Sequence, residues 1–187
     1  MAKMLRDRIP AFIAMGVVAL LVGIDRLTKM WIVNNVEYST SIPGIRLGDF
    51  KLIDITHIHN TGAALGSLQG QQTLLIIVTS IFIAAAIVFM FSGKIRLKMM
   101  MAAITLIVGG GIGNLIDRIT LRYVIDFIEL KFINFAVFNF ADMCVVAGSC
   151  LLFLVVVSEE IREYKAKRAC AVEEDDTIDD DNESNEA

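Results

Sequence analysis

Where the charges are missing constrains this chain more than any other feature. No charged residue stands from Ile9 to Ile24, between Asp54 and Lys94, or between Lys98 and Asp117, and Asp142 is the only one between Lys131 and Glu159. A bilayer core takes roughly 20 mostly apolar helical residues per crossing, and each gap holds one. At 56% apolar residues and a mean hydropathy of +0.64, the chain lies beyond the roughly 45–50% of an ordinary soluble domain. The pattern predicts an all-α polytopic membrane protein with four transmembrane helices, at about residues 10–30, 73–91, 99–116 and 137–158. Together they form one membrane domain, about residues 1–160.

The net charge of −4 hides two opposite halves. Glu173 to Ala187 carries nine acidic residues and no basic one, which leaves 12 acidic and 17 basic residues in the rest, a body of +5. Residues 161–187 therefore predict a cytoplasmic tail, basic and then acidic, too charged to bury a core and so disordered. Lys3, Arg6 and Arg8 precede the first apolar run as in a signal peptide, but no small-residue cleavage pattern follows and the run continues into Asp25-Arg26. This predicts a retained first helix. With Lys94, Arg96 and Lys98, and with Arg162, Lys165, Lys167 and Arg168, the three inner segments hold ten basic residues. The positive-inside rule then puts both termini in the cytoplasm. The basic residues lack the aromatic interleaving of a nucleic-acid surface, so no nucleic-acid partner is expected. Cys144, Cys150 and Cys170 have no disulfide or metal spacing, and His57 and His59 read as an ordinary strand or loop pair. No metal and no cofactor are expected.

The outward segment Val33–Gln72 is more than a linker. Ile42-Pro43-Gly44 and Gly48-Asp49 read as turns, and Phe50 to Ile58 partly alternates and is rich in isoleucine. A small extracytoplasmic β element between helices 1 and 2 is expected, lying on the membrane face.

Polar residues intrude at one level, the outward ends of the helices. Asn114 and Asp117 share a face of the third helix, Asn139 and Asp142 repeat that spacing in the fourth, Asp25 and Lys29 end the first, and Asn60, Thr61 and Gly62 precede the second. Any one of them could be a cap or a local ion pair, as Asp117 with Arg118. As a set inside a membrane protein they point to function. A proton or ion path would need polar groups through the membrane's depth, and the inner halves are nearly bare. Nucleophilic catalysis lacks a base beside a serine or cysteine at that level, and metal hydrolysis lacks ligands. What remains is a carboxylate pair, Asp126 and Asp142, with Asp117 as the alternate. Two close carboxylates share a proton, so one can activate water while the other polarises a carbonyl. The apolar neighbours of Asp126 favour it over Asp117 as the partner of Asp142.

Five runs sharpen this. Asp25-Arg26-Leu27-Thr28-Lys29, Asn60-Thr61-Gly62-Ala63-Ala64, Gly113-Asn114-Leu115-Ile116-Asp117-Arg118, Val124-Ile125-Asp126-Phe127 and Phe138-Asn139-Phe140-Ala141-Asp142 resemble the bacterial lipoprotein signal peptidases, the type II signal peptidases, in family order over about residues 10–160. The resemblance implies an intramembrane aspartic endopeptidase of the bacterial inner membrane. Such an enzyme removes signal peptides from diacylglyceryl-modified prolipoproteins, cutting before the lipidated cysteine. It makes Asp126 and Asp142 catalytic, Asn60, Gly62, Asn114, Asp117, Arg118, Asn139 and Ala141 pocket and support residues, and Asp25 and Lys29 stabilising. The partners it implies are the lipid-modified substrate and membrane lipid. The three asparagines are expected to hydrogen-bond the unwound peptide. Leu65 departs from the family's usual phenylalanine, and the acidic tail inherits no role. A small proton-coupled carrier and a non-catalytic assembly subunit are the competing classes; both would use the polar residues differently.

Overall fold

The computed structural model describes residues 2–62, 69–95 and 97–185. Leu65, with Ala63 and Ala64 of the second motif, lies outside them, as does Arg96. Side chains are described from Arg8 to Arg168 within that range, so those of Lys3, Arg6, Cys170 and the acidic tail lie outside it.

Four helices organise the chain: α1 (Ala2–Asn35), α2 (Gln72–Phe91), α3 (Lys98–Thr120) and α4 (Phe140–Asn185). Each contains a stretch long and apolar enough to cross a membrane: Arg8–Asn35, Gln72–Phe91, Lys98–Thr120 and Phe140–Arg168. Side chains such as Ile13, Leu20, Phe82, Val88, Phe153 and Leu154 are exposed, as expected of surfaces that meet lipid rather than water. Two helices differ from expectation at both ends. The first helix runs well beyond both of its expected ends. The fourth starts three residues late, at Phe140, and continues to Asn185 through the segment whose composition suggests a disordered tail. Good helix formers fill residues 159–174, with no glycine or proline to stop the helix, and Glu159 accepts a hydrogen bond from Arg162 one turn on at 2.8 Å.

Helix α3 is the hub, and small residues let its neighbours approach. A β-carbon on Gly110 would stand 2.3 Å from the Ala141 carbonyl oxygen, and one on Gly148 would stand 2.7 Å from that of Ala103. Backbone contact this close between membrane helices needs glycine on at least one side. Gly109 makes room for the Leu21 side chain of α1, which a β-carbon there would approach to 2.8 Å. Ala11, Ala14, Val18, Met90, Ile104 and Val108 make the core among α1, α2 and α3.

The β element is larger than expected. Strands β1 (Ser41–Pro43), β2 (Arg46–Leu47), β3 (Phe50–Lys51) and β4 (Ile53–Asn60) follow α1, and β5 (Val124–Leu130) lies between α3 and α4. β4 pairs antiparallel with both β1 and β5 in one three-stranded sheet, while β2 and β3 form a separate hairpin. The sheet is thus not confined to the segment between helices 1 and 2. The first four residues of β5 are all buried, so the strand lacks the apolar–polar alternation that marks a half-exposed strand in sequence. Ile32 and Val36 at the end of α1 pack with Ile125 and Phe127, which seats the sheet on the helix bundle.

The α3–α4 contact supplies a stability test. Gly110→Val should lower the thermal midpoint in detergent by an amount equivalent to about 1–3 kcal/mol of overpacking. Gly16→Val, where a β-carbon meets nothing within 4 Å, should change it little.

Candidate active site

The site begins with how α4 starts. Asn139 is its N-cap. The Asn139 side-chain oxygen accepts the Asp142 backbone N–H at 2.9 Å, and the Asp142 carboxylate accepts the Asn139 backbone N–H at 3.1 Å. This reciprocal pair is a capping box built from Asn and Asp. It satisfies helix-end donors that lipid could not, and it fixes the Asp142 side chain against its own helix.

The same asparagine reaches across to the sheet. Its Nδ2 donates to Asp126 Oδ1 at 2.7 Å and to Asn114 Oδ1 at 3.1 Å. Asn114 in turn donates to Asp142 Oδ1 at 2.7 Å. On β4, Asn60 lies on the same face as Asp126, since Ile58 pairs with Asp126 and Asn60 with Val124, and its Nδ2 donates to Asp126 Oδ2 at 2.8 Å. The Asn60 oxygen accepts the Gly62 N–H at 2.9 Å. Three amides therefore hold two carboxylates. Each of these asparagines has a donor committed to an acid. Asp126 is 1% exposed, and burial, reinforced by the charge of Asp142, pushes its carboxyl up to about 7 against the pull of the Asn60 and Asn139 hydrogen bonds. Asp142 is half-buried.

A cluster of charged side chains stands behind the amides. Lys29 is buried, with Nζ 2.9 Å from Asn114 Oδ1, 3.1 Å from Asp25 Oδ2 and 2.9 Å from Asp117 Oδ2. Arg26 bonds Asp117 Oδ1 at 2.5 Å, Asp25 Oδ2 at 2.7 Å and the Gly113 carbonyl at 3.0 Å. A β-carbon on Gly113 would come within 2.7 Å of Asp25 Oδ2, so this position needs glycine. Asp117 also accepts the Ile125 N–H at 3.3 Å, next to Asp126 in the chain. Asp117 is therefore paired with Arg26 and Lys29, and not with Arg118 as its sequence neighbour suggested. Arg26 joins this cluster without being marked by the carboxylate and asparagine pattern; its place beside Asp25 and one turn before Lys29 is the signal for it. Arg118 points elsewhere, donating to the Gly62 carbonyl at 3.4 Å. Ala141 is fully buried against α3.

Asp126 and Asp142 open together into a cleft of about 580 Å³, whose walls include Asn60, Arg118, Phe135 and Val146. A second cleft of about 340 Å³ lies among α2, α3 and α4 and reaches Asn114, Arg118 and Asp142. Its remaining walls are almost wholly apolar. His57 and His59 lie on β4, where His59 stacks on Tyr123 at 3.8 Å and His57 Nδ1 meets the Val36 carbonyl at 2.8 Å. They are sheet packing, as a strand pair would be. Among the described residues, no group of three or more histidine, cysteine or carboxylate side chains is arranged to hold a metal ion.

This is the arrangement of a membrane peptidase, and comparison with known proteins agrees. The pattern of signal peptidase (SPase) II matches residues 17–158. The lipoprotein signal peptidase of Streptococcus pyogenes serotype M1 is 40% identical over 144 residues, 75% of this chain and 90% of that protein. That of Streptococcus agalactiae serotype Ia is 36% identical over 143 residues, 75% and 89%. A bacterial membrane enzyme solved in meso at 2.3 Å superposes with a TM-score of 0.71 at 28% identity, over 79% of this chain and 88% of that one. A second, solved at 1.9 Å, gives 0.68 at 30% identity, over 76% and 91%. The chain belongs to the signal peptidase II family. It is a multi-pass membrane peptidase that removes signal peptides from prolipoproteins, and the carrier and assembly-subunit readings are not favoured.

The amide bridge can be tested apart from the cap. Asn139→Ser keeps an acceptor for the Asp142 N–H, and serine is as good an N-cap as asparagine, but it removes the donor between the acids. Turnover should fall by about tenfold or more, equivalent to roughly 1.4 kcal/mol, with the thermal midpoint near wild type. Asn139→Ala should lose turnover and also about 1 kcal/mol of stability.

Proposed function

We propose that Asp126 and Asp142 are the catalytic pair of an aspartic endopeptidase, and that the enzyme cuts diacylglyceryl-modified prolipoproteins immediately before the lipidated cysteine. The observation that carries this reading is the bridge itself: two carboxylates tied through Asn139 and Asn114, facing one cleft. The supporting roles follow the contacts. Asn60, Asn114 and Asn139 aim the acids, and Asp25, Lys29 and Asp117 hold the amides and the start of β5. Gly62 and Ala141 shape the backbone around them, and Arg118 lines both clefts.

The two acids differ in setting. Asp142 sits in the first turn of α4, where the helix dipole favours a negative charge, whereas Asp126 lies deep in the sheet and keeps its proton up to about pH 7. In the proposed cycle Asp142 takes a proton from water, and the resulting hydroxyl attacks the peptide carbonyl carbon. Asp126 gives its proton to the carbonyl oxygen. When the tetrahedral intermediate collapses, Asp142 passes its proton to the leaving nitrogen and Asp126 recovers one from the diol. The C–N bond breaks and both acids return to their starting states. A substrate that is itself an apolar helix bearing acyl chains reaches such a site from within the bilayer.

Asp126→Asn and Asp142→Asn keep shape and remove the acid, so each should cut cleavage of a lipidated prolipoprotein, read as a mass shift, at least about 100-fold with the fold intact. Asp117→Asn should lose stability or substrate affinity at least as much as turnover. If a well-folded Asp117→Asn protein is dead and Asp126→Asn is active, Asp117 takes the catalytic role. Cleavage should also fall as pH rises through about 7, where Asp126 loses its proton. Stability has the same sign: a carboxyl raised in the folded state holds its proton longer than in the unfolded chain, so folding weakens from about pH 4 up through 7. Asp126→Asn should remove that component of the alkaline decline.

For placement, the reading is the bacterial inner membrane with both termini cytoplasmic and the sheet outside; ten basic residues in the inner segments support it. The domain reading keeps residues 1–160 as the peptidase and 161–187 as a tail on the cytoplasmic side. Single cysteines at Gln71 and Lys94, in a protein lacking Cys144, Cys150 and Cys170, should separate under an impermeant thiol reagent applied to intact cells. Gln71 should label and Lys94 should not; the reverse pattern inverts the topology.

A further inference from the structure

The β2–β3 hairpin takes no part in the site, and no residue lining either cleft belongs to it. Its two cross-strand pairs are Arg46 with Lys51 and Leu47 with Phe50. Because side chains alternate along a strand, these pairs lie on opposite faces. One face is basic. The other is apolar and is extended by Ile45, two residues before Leu47. That apolar face is largely exposed among the described residues: Ile45 is 59% exposed, Leu47 74% and Phe50 55%. Arg46 turns back to Asp54 of β4 at 3.8 Å, which leaves the apolar side outermost.

The patch does not end with the hairpin. The Leu52 carbonyl, immediately after β3, accepts the Lys131 N–H at 3.0 Å. This joins the hairpin to the loop after β5, where Phe132 and Ile133 are also about half exposed. At the same end of the molecule, Trp31 and Val33 of α1 are exposed, and tryptophan is a residue of the membrane–water boundary. Five large apolar side chains on a short two-stranded ribbon and the adjoining loop would be an aggregation hazard in water.

We propose that the apolar face of this hairpin, continued by Phe132 and Ile133, is an interfacial anchor that seats in the lipid leaflet on the sheet side of the membrane. Arg46 and Lys51 then lie at the level of the lipid phosphates. Two features favour lipid over a protein partner. The hairpin starts only ten residues beyond the end of a membrane-crossing helix, at Asn35, so the leaflet surface is within reach without any further partner. The paired charged residues of its strands, Arg46 and Lys51, are basic, and with Asp49 in the turn the hairpin keeps a net positive charge beside its apolar side chains, which suits a phosphate layer above acyl chains. The anchor would hold the sheet, and with it Asp126, at a set depth relative to Asp142 on its membrane helix.

The test uses the full chain in nanodiscs of phosphatidylcholine and phosphatidylglycerol. Trp31 is the only tryptophan, so Trp31→Phe supplies a silent background for Phe50→Trp, Leu47→Trp and Lys51→Trp. Lipids brominated on the upper acyl chain should quench more than about half the emission at positions 50 and 47 and much less at position 51. Quenching that is absent at 50 and 47, or equal at all three positions, overturns the proposal. So does shielding at 50 and 47 that appears only when a lipidated prolipoprotein is added, which would assign the face to the substrate. None of these readouts depends on cleavage, so failure of the anchor and failure of the catalytic reading are separable.

Discussion

Everything at the sheet end of this protein hangs on one buried ammonium. Lys29 lies inside a membrane-crossing helix, where an unpaired charge is costly, and its Nζ is held by Asp25, Asp117 and Asn114. With Arg26 the cluster has two positive and two negative groups, so it carries no net charge into the low-dielectric layer. Such a cluster is weak evidence for stability in itself, since desolvation offsets most of the attraction, but removing one member leaves a bare charge and is expensive. Its value here is geometric. It locks α1 to α3, fixes which way the Asn114 amide faces, and through Asp117 holds the N–H beside Asp126.

From that anchor the orientation of the two acids follows step by step. Lys29 donates to the Asn114 oxygen, so the Asn114 nitrogen must face Asp142. Asn139 also donates to that oxygen and to Asp126, so its own oxygen is left to cap α4. Each amide orientation matches the donors and acceptors beside it, although Asp25 Oδ1 and Arg26 Nε in the charge cluster behind have no partner among the described residues. Hydrogen bonds linked in this way restrain one another. The acids are therefore held in place before any substrate arrives, which is what positioned acid–base chemistry requires.

Much of this could be read from residues alone, and the remainder has physical causes. Uncharged runs reveal membrane helices because length and apolarity are imposed by the bilayer, so α2 and α3 fall close to their expected spans. The carboxylates and asparagines stand out for the same reason: in a membrane chain each polar residue is an exception. Strand β5 was hidden because it is buried on both faces, and its pairing with β4 joins residues some seventy positions apart. No local periodicity encodes that. The Asn139–Asp142 spacing allows a cap, but Asn and Asp in place of the usual Ser or Thr with Glu do not by themselves mark a reciprocal capping box. Arg118 misled by adjacency: neighbours in a helix point in different directions, and the cation that reaches Asp117 comes from another helix.

The division of the two acids between a helix and a sheet also gives each its own surroundings. On a single helix face both would share one solvation level. Here Asp142 belongs to the first turn of a membrane helix, half-buried and aided by the helix dipole, while Asp126 is enclosed by the sheet and the end of α1. The sheet is therefore a second environment as well as a lid on the bundle, and its depth sets the hydration of Asp126. The sheet is seated on the bundle through the cluster around Ile32, Val36, Ile125 and Phe127 and through the hydrogen bonds that join Asp117 to Ile125, Asn139 to Asp126 and His57 to Val36. A second point of attachment, far from the bundle and in contact with the leaflet, would resist tilting about that seat. This is the physical reason for an exposed apolar hairpin to sit where it does.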